Sequence, residues 1–100
     1  MKVKEFDLIL QEGEGYSVEF KSEFSKLDRE MVAFANASGG RIFLGVADDK
    51  SVPGIRLTNR LKSQIVDIAR NCDPPIDLTV TGFRNVAIVD VKEGANKPYQ

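Results

Sequence analysis

The run Ile42-Phe43-Leu44-Gly45-Val46-Ala47 places the strongest constraint on what this chain can fold into. It is short, apolar without alternation, and bounded by Gly39-Gly40 before it and Asp48-Asp49-Lys50-Ser51 after it, so it reads as a strand buried on both faces. The segments around it have different periods. Residues 16–21 alternate, with Tyr16, Val18 and Phe20 on one side and Ser17, Glu19 and Lys21 on the other, which is the signature of a half-buried strand. Leu27, Met31, Phe34, Ala35 and Ser38 recur at helical spacing, with Ser25 as the expected N-cap and Gly39-Gly40 as the stop. A second helix is expected from Leu57 to Asn71, its apolar stripe running through Leu61, Ile65, Ile68 and Cys72.

After the break at Pro74-Pro75, residues 78–83 and 86–91 flank Arg84-Asn85 as a terminal hairpin. Residues 5–12 form at most a short lead-in helix. The order β-α-β-α-β-β predicts an α+β two-layer sandwich, with two helices on one face of a four-stranded mixed sheet. No G-x-G-x-x-G joins a strand to a helix, and two helices cannot cover both faces, so a doubly wound dinucleotide-binding fold is not expected. No linker or repeat interrupts the 100 residues, and the whole chain reads as one domain.

Composition narrows the chemistry. There is no histidine and a single cysteine, Cys72, which excludes an internal disulfide, every Cys/His zinc site and any triad with a histidine base. Carboxylate-bound ions such as Mg²⁺ or Mn²⁺ are the metals left, and none is required by the fold. The lone thiol is expected in the core at the end of the second helix's stripe. No apolar run approaches the ~20 residues of a membrane span, and residues 1–7 lack the apolar stretch of a signal peptide, so the expected compartment is the cytoplasm and no membrane partner is expected.

The formal charge is −1, which rules out a global basic field. It is unevenly placed, however: residues 50–70 carry a surplus of +4, leaving −5 for the remainder. With a helix from Leu57, the arginines Arg56, Arg60 and Arg70 share one outer face and are candidates for phosphate contacts. A solvated helix face is the competing explanation. Glu19 and Lys21 share one strand face, with Glu14 five residues upstream and Asp48-Asp49 after the next strand. If the two strands are neighbours, these carboxylates converge, and carboxylates around a divalent ion beside a lysine make a chemically sensible nuclease site. Charged open-face residues and good turn chemistry at Asp48-Asp49 account for the same pattern without function. Asn36 and Ser38 are expected to satisfy the end of the first helix.

Several motifs in order resemble the Schlafen AlbA-like DNA-binding domain family of prokaryotic transcriptional regulators and Schlafen proteins. They are Glu14-x-x-x-x-Glu19-Phe20-Lys21, the stretch from Ala33 through Asn36-Ala37-Ser38-Gly39-Gly40 to Asp48-Asp49, Pro53-Gly54, Pro74-Pro75 and Lys97-Pro98-Tyr99. Ala37 stands where the family often has threonine. The resemblance implies an Alba-like α+β fold and nucleic-acid binding, and it implies a domain fragment of a longer regulator, with a further edge strand beyond the Pro-Tyr motif. Some Schlafen relatives cleave RNA with an acidic trio, which the resemblance places at Glu14, Glu19 and Asp48.

Three functions follow as expectations. The first is a nucleic-acid-binding module of a transcriptional regulator, with DNA preferred over RNA, contacting phosphates through Arg56, Arg60 and Arg70, with Lys21, Arg41 and Lys50 as secondary contacts. The second is a nuclease dependent on Mg²⁺ or Mn²⁺, with Glu14, Glu19 and Asp48 as metal ligands and catalytic residues and Lys21 as electrostatic helper. The third is a protein-interaction or dimerisation module, with a homodimer as one form it could take, in keeping with a pI near 5.4.

Overall fold

The computed structural model describes residues 1–100. Its elements in chain order are α1 (Val3–Glu12), β1 (Val18–Lys21), α2 (Leu27–Asn36), β2 (Gly40–Leu44), α3 (Asn59–Arg70), β3 (Leu78–Phe83) and β4 (Val86–Val91). The four strands form one mixed sheet in the order β1-β2-β4-β3. β1 and β2 run parallel, and β4 is antiparallel to both of its neighbours. The register aligns Lys21, Leu44, Ala87 and Gly82 in one row straight across the sheet.

The apolar run behaves as its composition requires. Ile42 and Leu44 pack into a core with Leu27, Met31 and Phe34 of α2 and Leu61, Ile65 and Ala69 of α3. Phe43, pointing the other way along the same strand, enters a second core with Phe6 and Ile9 of α1, Phe20, Val86 and Ile88. Ile42, Phe43 and Leu44 are all fully buried. The expected sheet with α2 and α3 on one face is present, and α1 adds a cover on the other. That cover follows from the strand's two apolar faces: an uncovered Phe43 would forgo roughly 1.5–3 kcal/mol of burial. Phe6 closes on Phe43 and Phe83 with ring centroids 6.1 and 5.3 Å apart. No helix is long and apolar enough to cross a membrane.

Local details depart from expectation at several element ends. Tyr16 lies outside β1 and is 80% exposed, because Gly15 bridges to Val18 and turns the chain before the strand begins. α2 starts from Lys26 in a left-handed conformation (φ 51°) with no side-chain cap, so Ser25 is not its N-cap. Asp28 and Glu30 in the first turn partly compensate through the helix dipole. At the other end Gly39 N–H donates to Phe34 O (2.8 Å) with φ 83°, and a Cβ there would meet Val91 O at 2.8 Å. Glycine is therefore required on both conformational and steric grounds. α3 begins only at Asn59, because the Thr58 hydroxyl accepts from Leu61 N–H (3.0 Å) and caps the helix there. Arg56 consequently precedes the helix and does not belong to its arginine face. Cys72 is half-buried and its thiol donates to Ile68 O (3.4 Å); burial, and then the Asp28 charge, push its pKa up.

Asn36 does not cap α2. Its amide clips the C-terminal segment, accepting from Tyr99 N–H (2.6 Å) and donating to Tyr99 O (3.1 Å), while the Tyr99 ring enters the main core. Gln100 and Asp73 exchange a second pair of backbone hydrogen bonds. Asn36→Ala is expected to cost about 1–2 kcal/mol through removal of the two side-chain bonds. Amide exchange at Tyr99 is expected to accelerate with it, which hydrogen-exchange NMR checks directly.

Candidate functional site

β1 is an edge strand, bonded to β2 on one side only. The outward Phe20 N–H has no strand partner, and Glu14 reaches across from the preceding loop to accept it through Oε2 (3.0 Å). That bond brings the Glu14 carboxyl beside Glu19. Hydrogen bonding to Glu14, burial, and the charges of Glu14 and Glu30 push the Glu19 pKa up to about 7, against a smaller opposing effect from Lys21. Glu14, as the partner receiving the hydrogen bond from Glu19, is held below the usual carboxylate range, with burial opposing the shift and the Phe20 N–H adding to it. The pair thus carries one negative charge in mildly acid solution and gains the second as pH rises through about 7.

Lys21, on the same face as Glu19, pairs with Glu30 of α2 at 3.4 Å, both side chains being about four-fifths buried. The second oxygen of Glu30 is buried without a hydrogen-bond partner. Asp48 and Asp49 leave the end of β2 and line the same cleft of ≈ 800 Å³ as Glu14, Glu19 and Lys21. One cleft thus gathers residues from the α1–β1 loop, β1 and the loop after β2. Glu30 is the member that sequence reasoning missed. Nothing in its spacing on α2 points to Lys21, since the two meet only because α2 packs against β1's side of the sheet.

The donor set is all oxygen, which suits Mg²⁺ or Mn²⁺. No three carboxylates stand together as a metal-holding group, so Asp48 shares the cleft without completing a trio. Glu14 and Glu19 are the two carboxylates that would hold such an ion, which would have to displace the proton that Glu19 carries below about pH 7.

The titration of this pair is directly testable. Side-chain carboxyl NMR is expected to give a Glu19 midpoint near 7, moving down in Glu14→Ala. Its folded pKa lies above the ordinary 4.5, so Glu19 contributes stability that is full below about pH 4.5 and lost as pH rises through 7. Glu14 contributes with the opposite sign, its share being lost as pH falls. Glu19→Gln is expected to flatten the decline between pH 5 and 8 in denaturant midpoints.

The basic candidates are dispersed. Arg60 and Arg70 are exposed near opposite ends of α3, and Arg56 is exposed on the segment before it. Arg70 lines a shallow groove with Lys62, Ser63 and Asp67. Lys50 donates to Gln11 O (3.0 Å), tying the loop after β2 to the end of α1. Arg41 lies over the Phe43 ring, 5.6 Å from its centroid. Lys21 is engaged with Glu30.

A family model described as Schlafen, AlbA_2 matches residues 14–100. Among solved structures, the crystal structure of the DIP2311 protein from Corynebacterium diphtheriae is similar in fold, with a TM-score of 0.62 at 17% identity. The similarity covers 97% of this chain but 23% of that one, so the chain spans under a quarter of that protein's length. No curated protein matches the chain.

Proposed function

The chain belongs to the Schlafen AlbA_2 family, whose domains are generally associated with nucleic acid, and on that premise we propose that it is a DNA-binding module of a transcriptional regulator. In this reading Arg56, Arg60 and Arg70 contact phosphates, and Lys21, Arg41 and Lys50 are secondary. The observation that carries it is the state of the three arginines: all are exposed and none forms an ion pair with a carboxylate. Exposed, unneutralised guanidinium groups on one stretch of chain supply affinity that is independent of sequence and sensitive to salt.

A second reading, metal-dependent nucleic-acid cleavage, is supported by the one cleft that Glu14, Glu19 and Asp48 line together with Lys21. Glu14 and Glu19 would hold Mg²⁺ or Mn²⁺, which when bound lowers the pKa of water and so supplies a nucleophile. Asp48, in the lining of the same cleft, would help orient that water. Lys21, held by Glu30, offsets charge developing on the phosphate.

The test is fluorescence anisotropy over time with end-labelled duplex DNA and structured RNA, at two salt concentrations, in Mn²⁺ and in EDTA. A stable, salt-sensitive rise, stronger on DNA, is the expected result. A rise that decays in Mn²⁺ alone, and is stable with Glu19→Gln, would establish the second reading. No rise at any salt would overturn both.

A further inference from the structure

A second cleft, ≈ 650 Å³, opens where the segment before α3 meets the β3–β4 turn. Arg56 comes from the first and Arg84 from the second, with Gly54, Gly82 and Asn85 between them and no carboxylate in the lining. Its walls are fixed to one another, Ile55 N–H donating to Asn85 O (2.8 Å) and Gly54 N–H to Gly45 O (2.9 Å). Neither guanidinium has a carboxylate within ion-pair distance. Two like charges drawn into one cleft repel unless an anion lies between them.

Arg84 is itself unusual. It occupies the first position of a two-residue hairpin turn with φ 54°, where glycine is the favoured residue. Its guanidinium rests over the Phe83 ring, 5.5 Å from the centroid, which holds the planar donor fork at the surface.

We infer that the Arg56–Arg84 cleft is a phosphate-binding subsite for a nucleic-acid strand, an inference that rests on the nucleic-acid reading above. Its position relative to the carboxylate cleft follows from the register. Lys21, Leu44, Ala87 and Gly82 form one row, with Lys21 lining the carboxylate cleft and Gly82 the arginine cleft. The two ends of that row are three strand spacings apart, about 14 Å. A strand gripped at Arg56 and Arg84 that follows this row therefore reaches the border of the carboxylate cleft roughly four stacked base steps away.

Arg84→Asn in the full chain tests this, because asparagine removes the charge while tolerating the left-handed backbone. Circular dichroism confirms the fold, and anisotropy is measured on a 20-base-pair duplex and on one of its strands across a salt series. Affinity is expected to fall about fivefold to tenfold and the salt slope by about one, with Arg84→Lys between the two and Arg29→Ala, on α2, unchanged. Wild-type binding with an equal affinity and slope in Arg84→Asn would overturn the inference and leave the nucleic-acid reading standing. Failure of the wild-type chain to bind would overturn both.

Discussion

Phe43→Ala is expected to lower the free energy of unfolding by about 3–5 kcal/mol, the usual cost of emptying a buried phenylalanine site. Phe43 is fully buried on an interior strand, with the Phe20 ring edge-on at 6.1 Å and Phe6 at the same separation from α1. The cavity cannot collapse easily, because β2 is bonded to β1 and β4 and Phe43 cannot shift without breaking the sheet. A domain of this size has about 5–15 kcal/mol in total, so a large part of its stability is removed. The guanidinium of Arg41 also loses its aromatic support. Chemical denaturation is the measurement, with the midpoint falling and the slope unchanged. Leu8→Ala, on the same helix as Phe6 but 53% exposed, is expected within about 0.5 kcal/mol of wild type. A cost below about 1 kcal/mol at Phe43, well under the usual range for such a site, would mean that α1 does not seat on the sheet.

Alanine at Arg56, Arg60 and Arg70 together is expected to weaken duplex binding about a hundredfold and to reduce the salt slope by about three, one unit for each phosphate no longer neutralised. The weakening should be uniform across DNA sequences, since phosphate contacts position a protein without reading bases. Folding should be unaffected: all three side chains are exposed and hold no ion-pair partner in the fold. Arg60 and Arg70 are separated by about 15 Å of helix, so their contributions should add when tested singly. Titrations of the single and triple variants at several salt concentrations decide it. An unchanged slope in the triple variant would remove these arginines from the interface.

Local pattern carried most of the element order. Alternation around Val18 and Phe20, the helical stripe from Leu27 to Ala35, and the unalternating run at Ile42–Leu44 each report a period that the backbone imposes on burial. What escaped was set at element ends by competition between groups that are not neighbours in the pattern. Thr58 took the cap of α3 and excluded Arg56 from the helix. Lys26 adopted a left-handed conformation and displaced Ser25. Asn36, expected to finish its own helix, instead holds Tyr99 through two hydrogen bonds.

By itself the sequence determined the mixed α+β architecture, the strand that had to be buried on both faces, and the absence of any histidine or paired-thiol chemistry, because those depend on residue type and local period. Tertiary structure alone decided which polar groups meet. Glu14 joins Glu19 because β1 lies at a sheet edge and leaves the Phe20 N–H unpaired. Glu30 finds Lys21 because α2 covers that side of the sheet. Arg56 and Arg84 line one cleft because the fold brings the final hairpin turn to the segment before α3, where Ile55 N–H donates to Asn85 O. Each of these groupings joins segments that no local period relates, so it exists only once the strands have taken their order in the sheet.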